Sequence, residues 1–514
     1  MSSSTSSELA GVSRIRRASA EVSWAILIVV ALYAVAVVTG WLPAPPQEQA
    51  ATAQAASEAH EPFVPASWSV LPFVALLLAI AVLPLIESTK HWWESNRNRF
   101  ILASVLALIT LSYYGLIHPG GVEDHFTLTG ASHPGWGTVG TVFSNAFFGE
   151  YIPFIVLLFS LYVISGGISL RGDLPAHPLV NCVFLGAGAA SASFIGTTGA
   201  AMVFIRPLLS TNAERRYKVH TVLFFIFMVC NCGGLLLPIG DPPLFLGYLR
   251  GVPFTWTLRL WPYWLGVNGT LLVIYYIWDR IVYSREPIRG IVKDETEVRP
   301  LQLSGNVNFL LIFGVVLAVA LLVPGEPMPG TSFITPLFFR EIVMLLFVAA
   351  SLRLTQPEAR LWNRFDYHAI VEVAALFFGI FICMQAPIEI LHVRGAALGI
   401  SSAHSFFLAT GTLSSFLDNA PTYVVFFETA VALPASGDAF LRLVGHQVIM
   451  DHHLIAISLG AVFMGANTYI GNGPNFMVKS IAEQTGVKMP SFFGYMGYAL
   501  LILMPIWIVL SMII

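Results

Sequence analysis

The sequence predicts an all-α polytopic membrane protein: about eleven transmembrane helices plus two re-entrant hairpins, arranged as inverted repeats with broken helices. Three observations lead there. Hydrophobic residues make up 56% of the 514 and charged ones only 11%, against roughly 25% charged in an ordinary soluble chain. Too little polar surface remains to solvate a globule. Apolar stretches near the roughly 20 residues that cross a bilayer as helix recur from end to end. Two pairs of irregular segments rich in Gly, Ser, Asn and Pro sit at matching places in two halves. A cytosolic enzyme, a disordered scaffold and a secreted disulfide framework are excluded. The net charge of −3 leaves no basic footprint for nucleic acid, so the expected partner is the lipid bilayer.

Taken in order, the apolar stretches are 24–42, 68–86, 100–117, 149–170, 179–205, 219–249, 257–279, 307–324, 336–352, 369–391, 398–433, 453–478 and 491–514. The stretches 179–205 and 398–433 are long and interrupted by small and polar residues, which suits re-entrant hairpins. The stretches 219–249 and 453–478 read as helices broken in the middle. Irregular backbone at that depth survives only where it lines a cavity or is buried in protein. With the N-terminus in the cytoplasm, all of the 26 basic residues except Arg250, Arg259, Arg340, Arg394 and Arg442 fall on the inner side. That count requires each hairpin to return to its own side and places the C-terminus outside.

Residues 1–67 form an N-terminal helix, either signal anchor or cleaved signal peptide, and a flexible outside linker from Pro43 to Pro65. Residues 68–280 form the first repeat, 281–306 a charged cytoplasmic linker and 307–514 the second repeat. The repeat is visible in short matches. Ser193-Phe194-Ile195 in the first half answers Ser415-Phe416-Leu417 in the second, and Glu150 precedes its triplet by the same spacing as Glu372 precedes its own. Further on, Ile239-Gly240-Asp241-Pro242-Pro243 answers Ile470-Gly471-Asn472-Gly473-Pro474. Paired broken helices in two halves are the sequence pointer to a secondary transporter.

The candidate chemistry sits at these breaks. The first hairpin tip, Ser193 to Ala200, offers the hydroxyls of Thr197 and Thr198. The second, Ser414 to Thr422, carries Asp418, Asn419 and Thr422. A carboxylate in so apolar a stretch costs a few kcal/mol unless a cation, a proton or a basic partner compensates it; Asp418 also suits a helix N-cap. The first break spans Asn231 to Asp241, and the second brings Asn467, Thr468, Asn472 and Asn475 to the same depth. Glycines and prolines there free backbone carbonyls, which suit a hard cation. Glu372, four residues after His368, is a possible proton relay or an interfacial charge, and Glu150 is its first-half counterpart. Cys182, Cys230, Cys232 and Cys383 lie in apolar runs and form no framework. The 13 histidines form no ligand set, and the adjacent His452 and His453 read as solvent-facing. The chain has no phosphate-binding loop and no zinc-protease motif, and the glycine before Asp241 lacks the context of an aspartyl protease. No enzyme and no cofactor is expected.

Asn-Cys-Gly-Gly-Leu-Leu-Leu-Pro-Ile-Gly-Asp-Pro-Pro from Asn231 resembles the N-x-G-G-x-x-x-x-I-G-D motif of the ion transporter superfamily. That group includes NhaD-type sodium/proton antiporters, arsenite efflux permeases and citrate or dicarboxylate carriers. Phe-Leu-Asp-Asn-Ala-Pro-Thr at Asp418 resembles the second hairpin of its antiporter and arsenite branches. The resemblance spans about 68–514 and implies inverted five-helix repeats, ion sites at tips and breaks, elevator-like movement and a homodimer. The first tip departs from the Asp-Asn of the antiporter branch, and neither tip carries the Ser-Asn-Thr of sodium-coupled carboxylate carriers. The function expected from residues and resemblance together is Na⁺ (or Li⁺) exchange for H⁺ across the inner membrane, with Na⁺ at Asp418 and Asn419. The alternative is an anion permease of the same fold, for citrate, a dicarboxylate or an arsenite-type oxyanion.

Overall fold

The computed structural model describes residues 2–42, 63–124, 126, 130–296, 298–434, 439–443 and 447–514. The protein is mostly helical and is an all-α membrane protein, as its composition requires. Most of the expected flexible linker, 43–62, lies outside the described residues.

The chain opens with α1 (Ser2–Val38), followed by α2 (Leu71–Val82), α3 (Glu87–Trp93) and α4 (Asn96–Leu116). Helix α5 (Trp136–Ser144) passes through a π-helical turn, Asn145–Tyr151, into α6 (Ile152–Ser165). The first hairpin is α7 (Pro178–Ile195) and α8 (Thr197–Thr211); the first broken helix is α9 (Val219–Met228) and α10 (Pro242–Leu249). Then come α11 (Trp261–Tyr283), α12 (Ile288–Thr296), α13 (Val307–Leu321), α14 (Phe339–Leu354) and α15 (Pro357–Trp362). Helices α16 (His368–Cys383) and α17 (Gln385–Arg394) precede the second hairpin, α18 (Ala403–Ser414) and α19 (Asn419–Val431). The second broken helix is α20 (Asp451–Met464) and α21 (Gly473–Gln484), and α22 (Phe492–Ser511) ends the chain.

Among the described residues, six helices are long and apolar enough to cross a membrane unaided: Gly11–Val38, Ser67–Leu85, Asn96–Leu116, Trp136–Ser165, Pro178–Ile195 and Phe492–Ser511. The expectation of eleven crossings joined elements that the structure breaks or shortens. The stretch 369–391, read as one span, is bent by 42° between α16 and α17. Helix α13 has 15 residues, about 22 Å at 1.5 Å per residue, short of the roughly 30 Å hydrocarbon core.

The hairpins and breaks have local causes. Helix α7 starts at a proline, which suits a first turn. It stops at Gly196, whose φ of +76° an L side chain resists. One residue reverses the chain: Asn181 and Asn212, near the far ends of the two arms, exchange amide hydrogen bonds of 3.0 and 2.8 Å. The second hairpin turns over Ser415–Asp418. In the first broken helix Gly234 approaches Gly240 so closely that a Cβ on either would press on the other's carbonyl. Gly465 and Gly471 make the same approach in the second. The two pairs occupy matching places relative to Asp241 and Asn472, so the repeat read from the sequence extends to the closure of the break.

The core lies where these elements meet. From His220 to Met228 every residue of α9 is buried, and α20 is nearly as enclosed. Helices apolar on all sides are inner helices. Contacts between the halves are reciprocal: α10 packs on α19, and α21 packs on α8. Helix α1 docks on α14, where Tyr33 donates to the Leu337 carbonyl (2.9 Å) and Arg353 to Ser23 (2.8 Å). The linker 281–306 is tied down. Arg299–Ser304 pairs antiparallel with Ser169–Asp173, and Asp294 accepts from Ala176 N–H at 2.7 Å. His452 is exposed as expected. His453 is buried, its ring 2.9 Å from the Ser401 carbonyl, because α20 begins against the entry to α18.

Candidate ion-coupling site

Both breaks and both hairpin tips converge on one carboxylate, Asp241. It sits at the start of α10, where Pro242 and Pro243 follow it and supply no amide protons. The side chain is buried and accepts from three directions. Thr197 at the first tip donates at 3.0 Å, Asn419 at the second tip at 2.6 Å, and Asn472 in the second break at 3.2 Å. No basic side chain is among these partners. A buried carboxylate held only by neutral donors still carries its charge, and a cation or a proton must offset it.

Around Asp241 the amides interlock. Asn472 also donates to the Cys230 carbonyl (3.0 Å), and Asn231 donates to Asn475 (2.8 Å) and to the Ile226 carbonyl (2.8 Å). Asn475 donates to the carbonyls of Gly465 and Thr468, both at 2.9 Å. These acceptors fix which end of each amide is nitrogen. Two oxygens are then left over: Asn419 Oδ1 and Asn231 Oδ1 are buried without a hydrogen-bond partner. A carboxylate with neutral amide oxygens nearby is the donor set a hard cation takes.

Several of the carbonyls freed by the breaks accept hydrogen bonds from side chains. Gly233 O accepts from Ser193 (2.6 Å) and from the Trp264 indole (3.1 Å). Leu236 O accepts from Thr257, Cys232 O from Asn268, Ala466 O from Tyr495 and Met464 O from Ser415. Buried backbone acceptors must find partners, and polar side chains on flanking helices supply them. The sequence reading missed Trp264, Asn268, Thr257 and Tyr495; the lone Asn268 in the apolar stretch 257–279 was the available signal.

Residues 64–514 match the family model CitMHS_2, whose description reads "Putative citrate transport". The chain belongs to this citrate-transport family. No curated protein matches the chain. The family match begins after α1 and covers both hairpins and both broken helices.

Within this family member the remaining candidates take different places. Asp418 is the N-cap of α19, its carboxylate accepting from Ala420 N–H at 3.1 Å, and Thr422 donates to the Asp418 carbonyl at 3.0 Å. The carboxylate at the point of convergence is Asp241, and Asp418 caps the adjoining tip that presents Asn419 to it. Asn467 is positioned by Ser415 (2.9 Å) and Trp507 (3.0 Å), and Thr468 ties the second break to Ser415 O at 2.5 Å. Thr198 follows Thr197 at the tip, half-buried, with no side-chain hydrogen bond among the described residues. Glu372 is not brought to this cluster: it pairs with Arg99 on α4 at 2.9 Å, with 35% of its side chain exposed.

Proposed function

We propose that this citrate-transport family member is a secondary active transporter that exchanges Na⁺ (or Li⁺) for H⁺ at Asp241. The observation that carries the reading is the buried carboxylate with three neutral donors, one of which, Asn419, keeps an unpartnered amide oxygen. A proton on Asp241 removes the charge that attracts Na⁺, and Na⁺ displaces the proton. Mutual exclusion at one carboxylate couples the two flows when the loaded forms reorient and the empty charged form does not. Asn419, from the second half, and Thr197, from the first, report the ion to both hairpins. The protein acts in the inner membrane as a homodimer, with its N-terminus in the cytoplasm.

The family match favours a second reading, a citrate-type carboxylate moved together with the cation. The cations beside α10 do not favour it: Arg340 is paired with Glu341. Arg250 is already shared by Glu150 (2.8 Å) and Glu428 (2.9 Å), so an anion would have to rely on half-helix N-termini. Everted vesicles energised by respiration, with a pH-sensitive dye, separate the two. Dequenching by NaCl or LiCl that Asp241→Asn abolishes supports exchange. No response to either salt, with Na⁺-dependent uptake of labelled citrate in its place, overturns it in favour of the second reading.

A further inference from the structure

A second charged cluster lies at the far end of α10 from Asp241. Arg250 bridges Glu150 (2.8 Å) and Glu428 (2.9 Å), and His392 meets the other oxygen of Glu428 at 2.7 Å. The members come from four places: the π-helical turn before α6, the end of α10, α17 and α19. Glu150 Oε2 is buried without a partner. Two carboxylates and one guanidinium leave one negative charge in a poorly solvated place. The cluster is neutral only when one more proton is held, and His392 on Glu428 is where it sits with a hydrogen bond ready.

Another cluster of the same composition shows what distinguishes this one. Arg215 joins Asp279 and Glu286, and His220 lies 2.8 Å from Asp279. Its members are at most 7% exposed and come from the first repeat and the start of the linker that follows it, so it staples neighbouring elements in place. At the Arg250 cluster, His392 is 29% and Glu150 21% exposed, so protons can reach it. It joins α10 and α19, which carry Asp241 and Asn419, to α17 and the π-helical turn. A π-helical turn is a frequent mark of a functional site. The groups facing His392 are Glu428 and, through it, Arg250 and Glu150. On its own helix are Glu389, held by Tyr114 (2.8 Å) and His118 (3.4 Å), and the exposed Arg394.

We propose that the Glu150–Arg250–Glu428–His392 cluster is a second proton-binding site, separate from Asp241, that fastens the ends of α10 and α19 to α17 and the π-helical turn while His392 is charged. Loss of the proton leaves the cluster with a net negative charge and releases that fastening. The proposal does not depend on which ion Asp241 takes.

The test is hydrogen exchange on the purified full-length protein without Na⁺ or citrate, at about pH 6 and about pH 9, corrected for intrinsic exchange. In the wild type, protection of 385–394 and 423–431 falls about tenfold at the higher pH, the scale of losing one charge-assisted pair. His392→Gln shows the low protection at both pH values, and His392→Arg keeps the high protection at both. A pH-independent wild type overturns the proposal, as does the wild-type drop persisting in either variant. Because no transported ion is present, failure of the exchange reading leaves this result interpretable.

Discussion

The two broken helices differ at one decisive position. Asp241 and Asn472 occupy matching places in the two halves, each just after the second glycine of a closed Gly–Gly pair and next to a proline-led half-helix. The backbone devices are the same, but only the first break carries a charged residue. The second half supplies amides that point at it: Asn419 and Asn472 both donate to Asp241. One duplicated scaffold thus places a carboxylate in one break and, in the other half, two of its three neutral donors. An ion bound at Asp241 is felt by both halves, which a charge in each half would not require.

The largest expected effect comes from erasing the difference. Asp241→Asn makes the two breaks alike and removes the charge that the first one carries. Ion binding weakens by about 3 kcal/mol or more, roughly a hundredfold, and Na⁺-driven proton flux in vesicles falls to background. Doubling the charge sharpens the comparison differently. Asn472→Asp sets a second carboxylate at the position now 3.2 Å from Asp241. Two carboxylates that close hold a proton between them, so Na⁺ displaces it only at higher pH. The pH profile of exchange should move to the alkaline side by about one unit.

Removing a neutral ligand is milder. Asn419→Ala takes away a 2.6 Å bond to the carboxylate and one unpartnered oxygen. The apparent KM for Na⁺ should rise about tenfold, as expected for a hydrogen bond to a charged group. The shared backbone device is tested by Gly240→Ala and Gly471→Ala. Each puts a methyl group against the partner glycine's carbonyl. Each should cost about 1–3 kcal/mol of stability, read as a lowered Tm in detergent, and the two losses should be similar. The smallest effect belongs to Asp418→Asn. Asparagine caps a helix as well as aspartate, so stability should change by about 0.5 kcal/mol or less, and vesicle flux should persist.

The contrast between Asp241 and Asp418 shows how far the sequence could be read. Both are acids in apolar stretches with a proline within three residues, and nothing within either segment ranks them. Long-range donors decide it: Asn419 and Asn472 reach Asp241 from the other half of the chain. Hairpins and breaks were legible because Gly, Pro and Asn interrupt apolar runs, and the duplicated motifs marked their pairing. The bend between Cys383 and Gln385 was legible but unread: Gln385 and Pro387 interrupt the apolar run, and Pro387 cannot donate to the carbonyl of Cys383 four residues earlier. Glu150 and Glu372 looked equivalent because each stands at the same place before its hairpin. Their partners, Arg250 and Arg99, come from other elements and give them different surroundings.

The central claim is that Na⁺ and H⁺ exclude one another at Asp241. Proton release on adding Na⁺ to the purified protein, in weak buffer with a pH indicator, tests it most directly. The account predicts about one proton released per Na⁺ bound by the wild type and by Asp418→Asn, as expected when a metal ion displaces a proton from its ligand. It predicts no release from a folded Asp241→Asn. Release retained by Asp241→Asn and lost in Asp418→Asn would contradict it and return the ion site to the second hairpin.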